Sequence, residues 1–187
     1  REQEEDLKSV FNLKVNSKEI YNVVTETLDE NDAPVIITQS EFMRRMKEMS
    51  QLGGGMNFYG ELPDSYNIVV NINHPLILKI ADDLNEKAGD KLKENSAEKT
   101  RLKDEISFME NEHKKKKADE ISQFEKDDLE NLRKELEKQE NARKDILTNY
   151  GSENKVVKQL IDLALLANNM LRGEELSTFV KRSVDLL

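Results

Sequence analysis

Cysteine and tryptophan are absent from this chain of 187 residues, and histidine occurs only twice. The missing thiol removes disulfides, thiolate metal sites and cysteine nucleophiles together, so nothing marks an oxidising compartment. Glycine (7) and proline (3) are sparse, and neither occurs between Gly89 and Gly151. An interval so poor in breakers is not an ordinary loop; it is helical or disordered. No apolar run approaches the roughly 18 to 20 residues of a transmembrane helix, and the start at Arg1–Glu5 lacks the pattern of a signal peptide. A chain that does not open on Met is expected to be a fragment of a longer protein, and its expected location is cytoplasmic. Apolar residues are also scarce, at 36%, matching a charged share of 36%; ordinary globular chains carry about 45–50% and about 25% respectively.

With 29 Lys and Arg against 38 Asp and Glu, the net charge is -9. An acidic chain repels phosphate backbones and anionic lipid, so neither nucleic acid nor membrane is an expected partner.

Along the chain, Leu7, Val10, Phe11 and Leu13 fall near one helical face of the stretch Asp6 to Val15. Ile20 to Leu28 and Val35 to Thr38 are rich in β-branched residues around turn-forming Asp29, Asn31, Asp32 and Pro34, and read as two strands. Ser40 to Leu52 reads as a helix with Ser40 as N-cap and the run Gly53, Gly54 and Gly55 as its stop. Asn57 to Ser65 reads as a loop and Tyr66 to Ile72 as a third strand. Pro75 suits the first turn of another helix.

From about Asp82 the composition changes, and more than half of the positions from 98 to 147 are charged. Leu129, Leu132, Leu136, Gln139, Ile146 and Tyr150 keep a coiled-coil spacing, as do Leu102, Ile106 and Met109 upstream. Residues 83–150 are therefore expected to form an antiparallel helical hairpin with its tip near Lys114 to Lys117. One long helix, or a loosely ordered charged segment, fits the same pattern. Gly151 and Ser152 are expected to end this stretch. Glu153 to Leu171 then reads as a helix apolar on more than one face, and Leu176 to Leu187 as a last amphipathic helix. A domain already holding three strands cannot cover that much apolar surface. A second copy of residues 153–187 around a two-fold axis would, with Leu160, Leu163, Ala164, Ala167, Leu171, Leu176, Phe179, Val180 and Val184 as candidates for the seam. The fold class is thus α+β: one domain over 1–187, with a small three-stranded sheet, packed helices and the charged hairpin as an insertion.

No catalytic constellation emerges. His74 precedes Pro75 at a strand-to-helix junction and reads as a turn or cap residue. His113 lacks a second His three or four residues away to make a metal site. The triple glycine superficially resembles a phosphate loop, but it follows a helix and lacks the Gly-Lys-Ser/Thr ending. Lys114 to Lys117 read as a solvated tip. Phe42, Met43, Met46, Met49 and Leu52, continued by Met56 and Phe58, are the exception. Apolar stripes at helical spacing usually pack in cores, yet Met is flexible and polarizable, and surfaces that accept many partners use it heavily. Both readings stand on composition alone.

The order of Asn31 to Thr38, the Met-rich helix, Tyr66 to Ile77, Leu160 to Ala167 and Phe179 to Leu187 resembles the C-terminal domain of the bacterial HtpG chaperones, the ninety-kilodalton heat-shock family. The likeness covers roughly 6–82 and 153–187. It implies an ATP-driven dimeric chaperone acting on partly unfolded client proteins, with ATP and Mg bound in an N-terminal domain outside this chain and no cofactor, metal or catalytic residue within it. It further implies a homodimer closed by a four-helix bundle of the terminal helices, and an exposed client-holding helix that falls on Ser40 to Leu52. The charged hairpin departs from the better-known bacterial relatives. The ending Asp185 to Leu187 departs from the acidic tail by which eukaryotic relatives recruit co-chaperones. A coiled-coil tether that only closes an oligomer is the competing reading.

Overall fold

The computed structural model describes residues 2–13, 19–39, 41–52, 64–117 and 120–186, apart from the side chains of Met43, Lys47, Ser50, Gln51 and Leu52. The proposed cap Ser40, the triple glycine and most of the loop from Asn57 lie outside these described residues. The element order is α1 (Glu2–Phe11), β1 (Ile20–Glu26), β2 (Val35–Gln39), α2 (Glu41–Leu52), β3 (Ser65–Asn71), α3 (Pro75–Lys114), α4 (Gln123–Glu153), α5 (Lys155–Ala167) and α6 (Gly173–Asp185). Helices with a small mixed sheet make an α+β fold, as the sequence indicates.

The sheet order is β1-β3-β2, with β1 parallel and β2 antiparallel to β3. A parallel pair needs a long crossover, and β2 with α2 supplies the chain between β1 and β3. The central strand carries an apolar run in which Ile68, Val69 and Val70 are almost fully buried. Tyr21 stacks on Tyr66 across the parallel pair, ring centres 5.8 Å apart. Helices α1 and α5 pack against β1, β2 and each other, which buries Val10, Phe11, Val157 and Leu165.

Two polar residues shape the exit from β3. Asn71 is fully buried, donates to the Asp29 carbonyl (2.8 Å) and accepts from the Leu28 (3.2 Å) and Asn73 (3.1 Å) amides, so each side-chain function has a partner. Its cost of burial is met by those bonds, and the turn after β1 is tied to the end of β3. His74 then caps α3: its Nδ1 accepts from the Leu76 amide at 3.0 Å, ahead of Pro75 in the first turn.

The chain divides into two compact units, residues 1–82 with 147–187, and residues 83–146. In the first unit α4 does not stop at Gly151. It runs through Gly151 and Ser152 to Glu153, because this glycine lets the α1 backbone approach: a Cβ there would stand 2.1 Å from the Val10 carbonyl oxygen. Asn154 then starts α5, its side chain accepting from the Val156 and Val157 amides. Tyr150 donates to the Ile80 carbonyl (3.1 Å) and receives the Asn154 amide (3.0 Å). Helix α5 ends at Ala167, not Leu171, where Asn168 caps it and Asn169 takes a left-handed φ of 57°.

In the second unit, contacts of residue 95 with 139, 110 with 133 and 116 with 125 run in opposite directions, so α3 and α4 pair antiparallel. Leu92, Leu102 and Ile106 are buried along the seam, while Leu129, Leu132 and Leu136 are half-buried. The seam contains a polar layer that apolar spacing does not reveal. Asn95 donates to the Gln139 carbonyl (2.8 Å) and side chain (3.1 Å), and buried Arg143 donates to the Leu92 carbonyl (2.9 Å) and Ser96 hydroxyl (2.8 Å). Near the tip Ser122 and Glu125 form a capping box, with Glu125 accepting from the Ser122 amide and Ser122 Oγ accepting from the Glu125 amide.

Candidate interaction surfaces

Helix α2 exposes what a core helix would hide. Phe42 is 68% exposed, Met46 39% and Met49 69%. Spacings of four and three put them on one face. Met43 and Leu52 belong to the same helix, but their side chains fall outside the described residues, as do Met56 and Phe58 altogether. Among the described side chains, the charges of this helix pair within it: Arg44 with Glu41 (2.9 Å) and Glu48 (2.6 Å), and Arg45 with Glu41 (2.9 Å). Hydrogen bonds from Arg44 and then Arg45 hold the Glu41 carboxyl below its ordinary range, and Glu41 in turn raises Arg44. Phe42, Met46 and Met49 stay open to a partner.

The residues proposed for the seam divide into two sets. Leu160, Ala164, Leu171 and Phe179 are buried within the chain and Leu176 is half-buried, whereas Leu163, Ala167, Val180 and Val184 are exposed. Leu163 is 49%, Val180 53% and Val184 66% exposed. Val156, outside the sequence-based set, lies seven residues before Leu163 and is also exposed, so α5 carries an outer row at 156, 163 and 167 and α6 one at 180 and 184. A buried polar network joins the two helices. Arg182 pairs with Asp162 and donates to Gln159 Oε1 (2.8 Å), while Gln159 donates to Ser183 Oγ (2.6 Å). Phe179 packs inward while its neighbour Val180 faces out, so the pair is oriented with one apolar face committed and a second unpartnered.

Among the described residues no three of His, Asp and Glu gather as metal ligands, and no helix is long and apolar enough to cross a membrane. His74 is engaged as a cap and has no acid or base partner among the described hydrogen bonds.

Compared with known proteins, the chain is 44% identical over 167 residues to the chaperone protein HtpG of Bacteroides thetaiotaomicron and 45% identical over 172 residues to that of Porphyromonas gingivalis. Its homologues are HtpG chaperones. Those matches cover 89% and 92% of this chain but 24% and 25% of the relatives, so it spans about a quarter of their length. An HtpG of Bacteroides fragilis matches at 42% over 89% of the chain. A match of 167 residues leaves too few outside it to exclude the hairpin, so the hairpin lies within the stretch shared with these HtpG proteins. No family model and no solved structure matches the chain.

Proposed function

We propose that this segment dimerises an HtpG-type chaperone and contributes a surface that holds partly unfolded client proteins, while ATP and Mg bind elsewhere in the full-length protein. The observation that carries the reading is the open apolar row of α5 and α6, Leu163, Ala167, Val180 and Val184, left over after both helices have buried their other face. Contiguous exposed apolar surface marks an interaction site. Two identical rows brought together around a two-fold axis would form a four-helix bundle. Helix α2 supports the client role: an exposed Phe and Met stripe offers contact area without demanding a fixed partner shape. On the same reading the chaperone acts in the cytoplasm. A tether that only closes an oligomer explains α5 and α6 but leaves the α2 stripe without purpose.

Suppression of aggregation by the full-length protein tests the two surfaces separately. Met46→Ser with Met49→Ser changes exposed side chains, so the melting temperature is expected to stay within about 2 °C, as for surface substitutions of small effect in a chain of this size. Capture of an unfolding client is expected to fall severalfold. A strongly lowered melting temperature would return α2 to the core, and undiminished capture by the folded variant would reject its client role.

A further inference from the structure

Methionine carries all the sulfur of this chain, since Cys is absent, and four of the six Met fall between residues 43 and 56. Peroxides oxidise sulfur, and a reactive thiolate is the usual first target; within this chain the thioethers have no such competitor. The structure separates the described thioethers into two pairs. Met46 and Met49 are 39% and 69% exposed, whereas Met109, on the hairpin, and Met170, between α5 and α6, are half-buried. The exposed pair lies three residues apart on the α2 face that also carries Phe42. Leu would serve a purely apolar stripe, because it matches Met in volume and is as good a helix former. Beyond its flexibility, what Met adds is a reversible chemistry.

We propose that Met46 and Met49 form a modification site for peroxides, and that their conversion to the sulfoxide switches off the α2 surface. The sulfur lone pair attacks one oxygen of hydrogen peroxide while the O–O bond breaks and an S–O bond forms. The proton of the transferred oxygen passes to the departing hydroxide, so the thioether is oxidised to sulfoxide and the peroxide is reduced to water. A flexible apolar side chain thereby becomes polar, and methionine sulfoxide reductases reverse the change. Both side chains are exposed, so the new oxygens meet water and folding is left intact. The stripe, however, loses two of its three described apolar members and keeps only Phe42, whose ring peroxide leaves unchanged. Contact area available to an apolar partner falls accordingly. The switch rests on the client-holding reading of α2, whereas the order in which the thioethers oxidise does not.

The test treats the full-length protein with hydrogen peroxide and follows each Met by peptide mass spectrometry. Met49 and Met46 are expected to gain oxygen severalfold faster than Met109 and Met170; equal rates would overturn the site. Protein oxidised to that point is expected to keep its melting temperature and to lose client capture severalfold, and methionine sulfoxide reductase with a thiol reductant is expected to restore it. Met46→Leu with Met49→Leu is expected to capture clients as the parent does and to keep that capacity after the same treatment. Loss of capture by the treated Leu variant would move the effect to other residues and overturn the proposal. Undiminished capture by parent protein carrying both sulfoxides would also overturn it. In that case Met46→Ser with Met49→Ser separates the two failures: reduced capture by the Ser variant leaves the client reading standing without the switch, and undiminished capture removes both.

Discussion

Glu125 shows what a single side chain contributes to the hairpin. The Lys116 ammonium, followed by the Ser122 amide and hydroxyl, holds its carboxyl from an ordinary 4.5 down to about 2. A depressed folded value means that the contribution is present above about pH 4.5 and is lost as the pH falls towards 2. Carboxyl-carbon NMR is therefore expected to place the Glu125 midpoint at about 2, and a midpoint at about 4.5 would contradict the capping box. Gly151 makes the opposite kind of point. Its spacing after a long charged stretch reads as a helix stop, but its requirement is the approach of the Val10 carbonyl, a contact distant in sequence that no local pattern announces. Gly151→Ala is expected to destabilise the chain by about 1–3 kcal/mol or more through overpacking. An unchanged melting temperature would show that α1 can move away freely. His74, in contrast, is legible from its neighbours, since a residue before a helix-starting Pro is a cap candidate wherever the chain goes next.

At the scale of elements, three strands and the Met-rich helix follow from β-branched runs, turn residues and helical spacing, because those signals are local. Gln139 fits the seam spacing, but its partners in the polar layer, Asn95, Ser96 and Arg143, were hidden for the reason that the leucines were visible: apolar periodicity counts only apolar residues, and Arg143 occupies a seam position by hydrogen-bonding the facing helix. The ambiguity of α2 has a similar origin. Phe42, Met46 and Met49 make the same stripe whether a neighbour covers it or not, and only the packed structure shows that it is uncovered. The two compact units allow a test of what the hairpin does for assembly. Its exposed ion pairs contribute about 0–1 kcal/mol each, and the proposed dimer surface lies in the other unit. Replacing Glu86–Asp145 by a short Gly/Ser linker, which retains buried Leu147 and the Tyr150 anchor, is expected to leave the dimer intact by size-exclusion chromatography with light scattering. Conversion to monomer would place the hairpin in the interface.

For the molecule as a whole, the sequence argued that residues 153–187 carry more apolar surface than one chain can cover, and it named nine seam candidates. It could not divide them, since helical spacing does not say which of two faces meets the sheet. The structure sends Leu160, Ala164, Leu171 and Phe179 inward, so Phe179→Asp would place a carboxylate in the protomer's own core and confound folding with assembly. Val180 and Val184 face outward and avoid that confusion. Sedimentation equilibrium of Val180→Asp with Val184→Asp beside the parent chain at micromolar concentration is the most direct measurement. The expected result is a parent of twice the chain mass and a variant of single mass with unchanged circular dichroism; a monomeric parent, or a variant that remains dimeric, would contradict the proposed dimer.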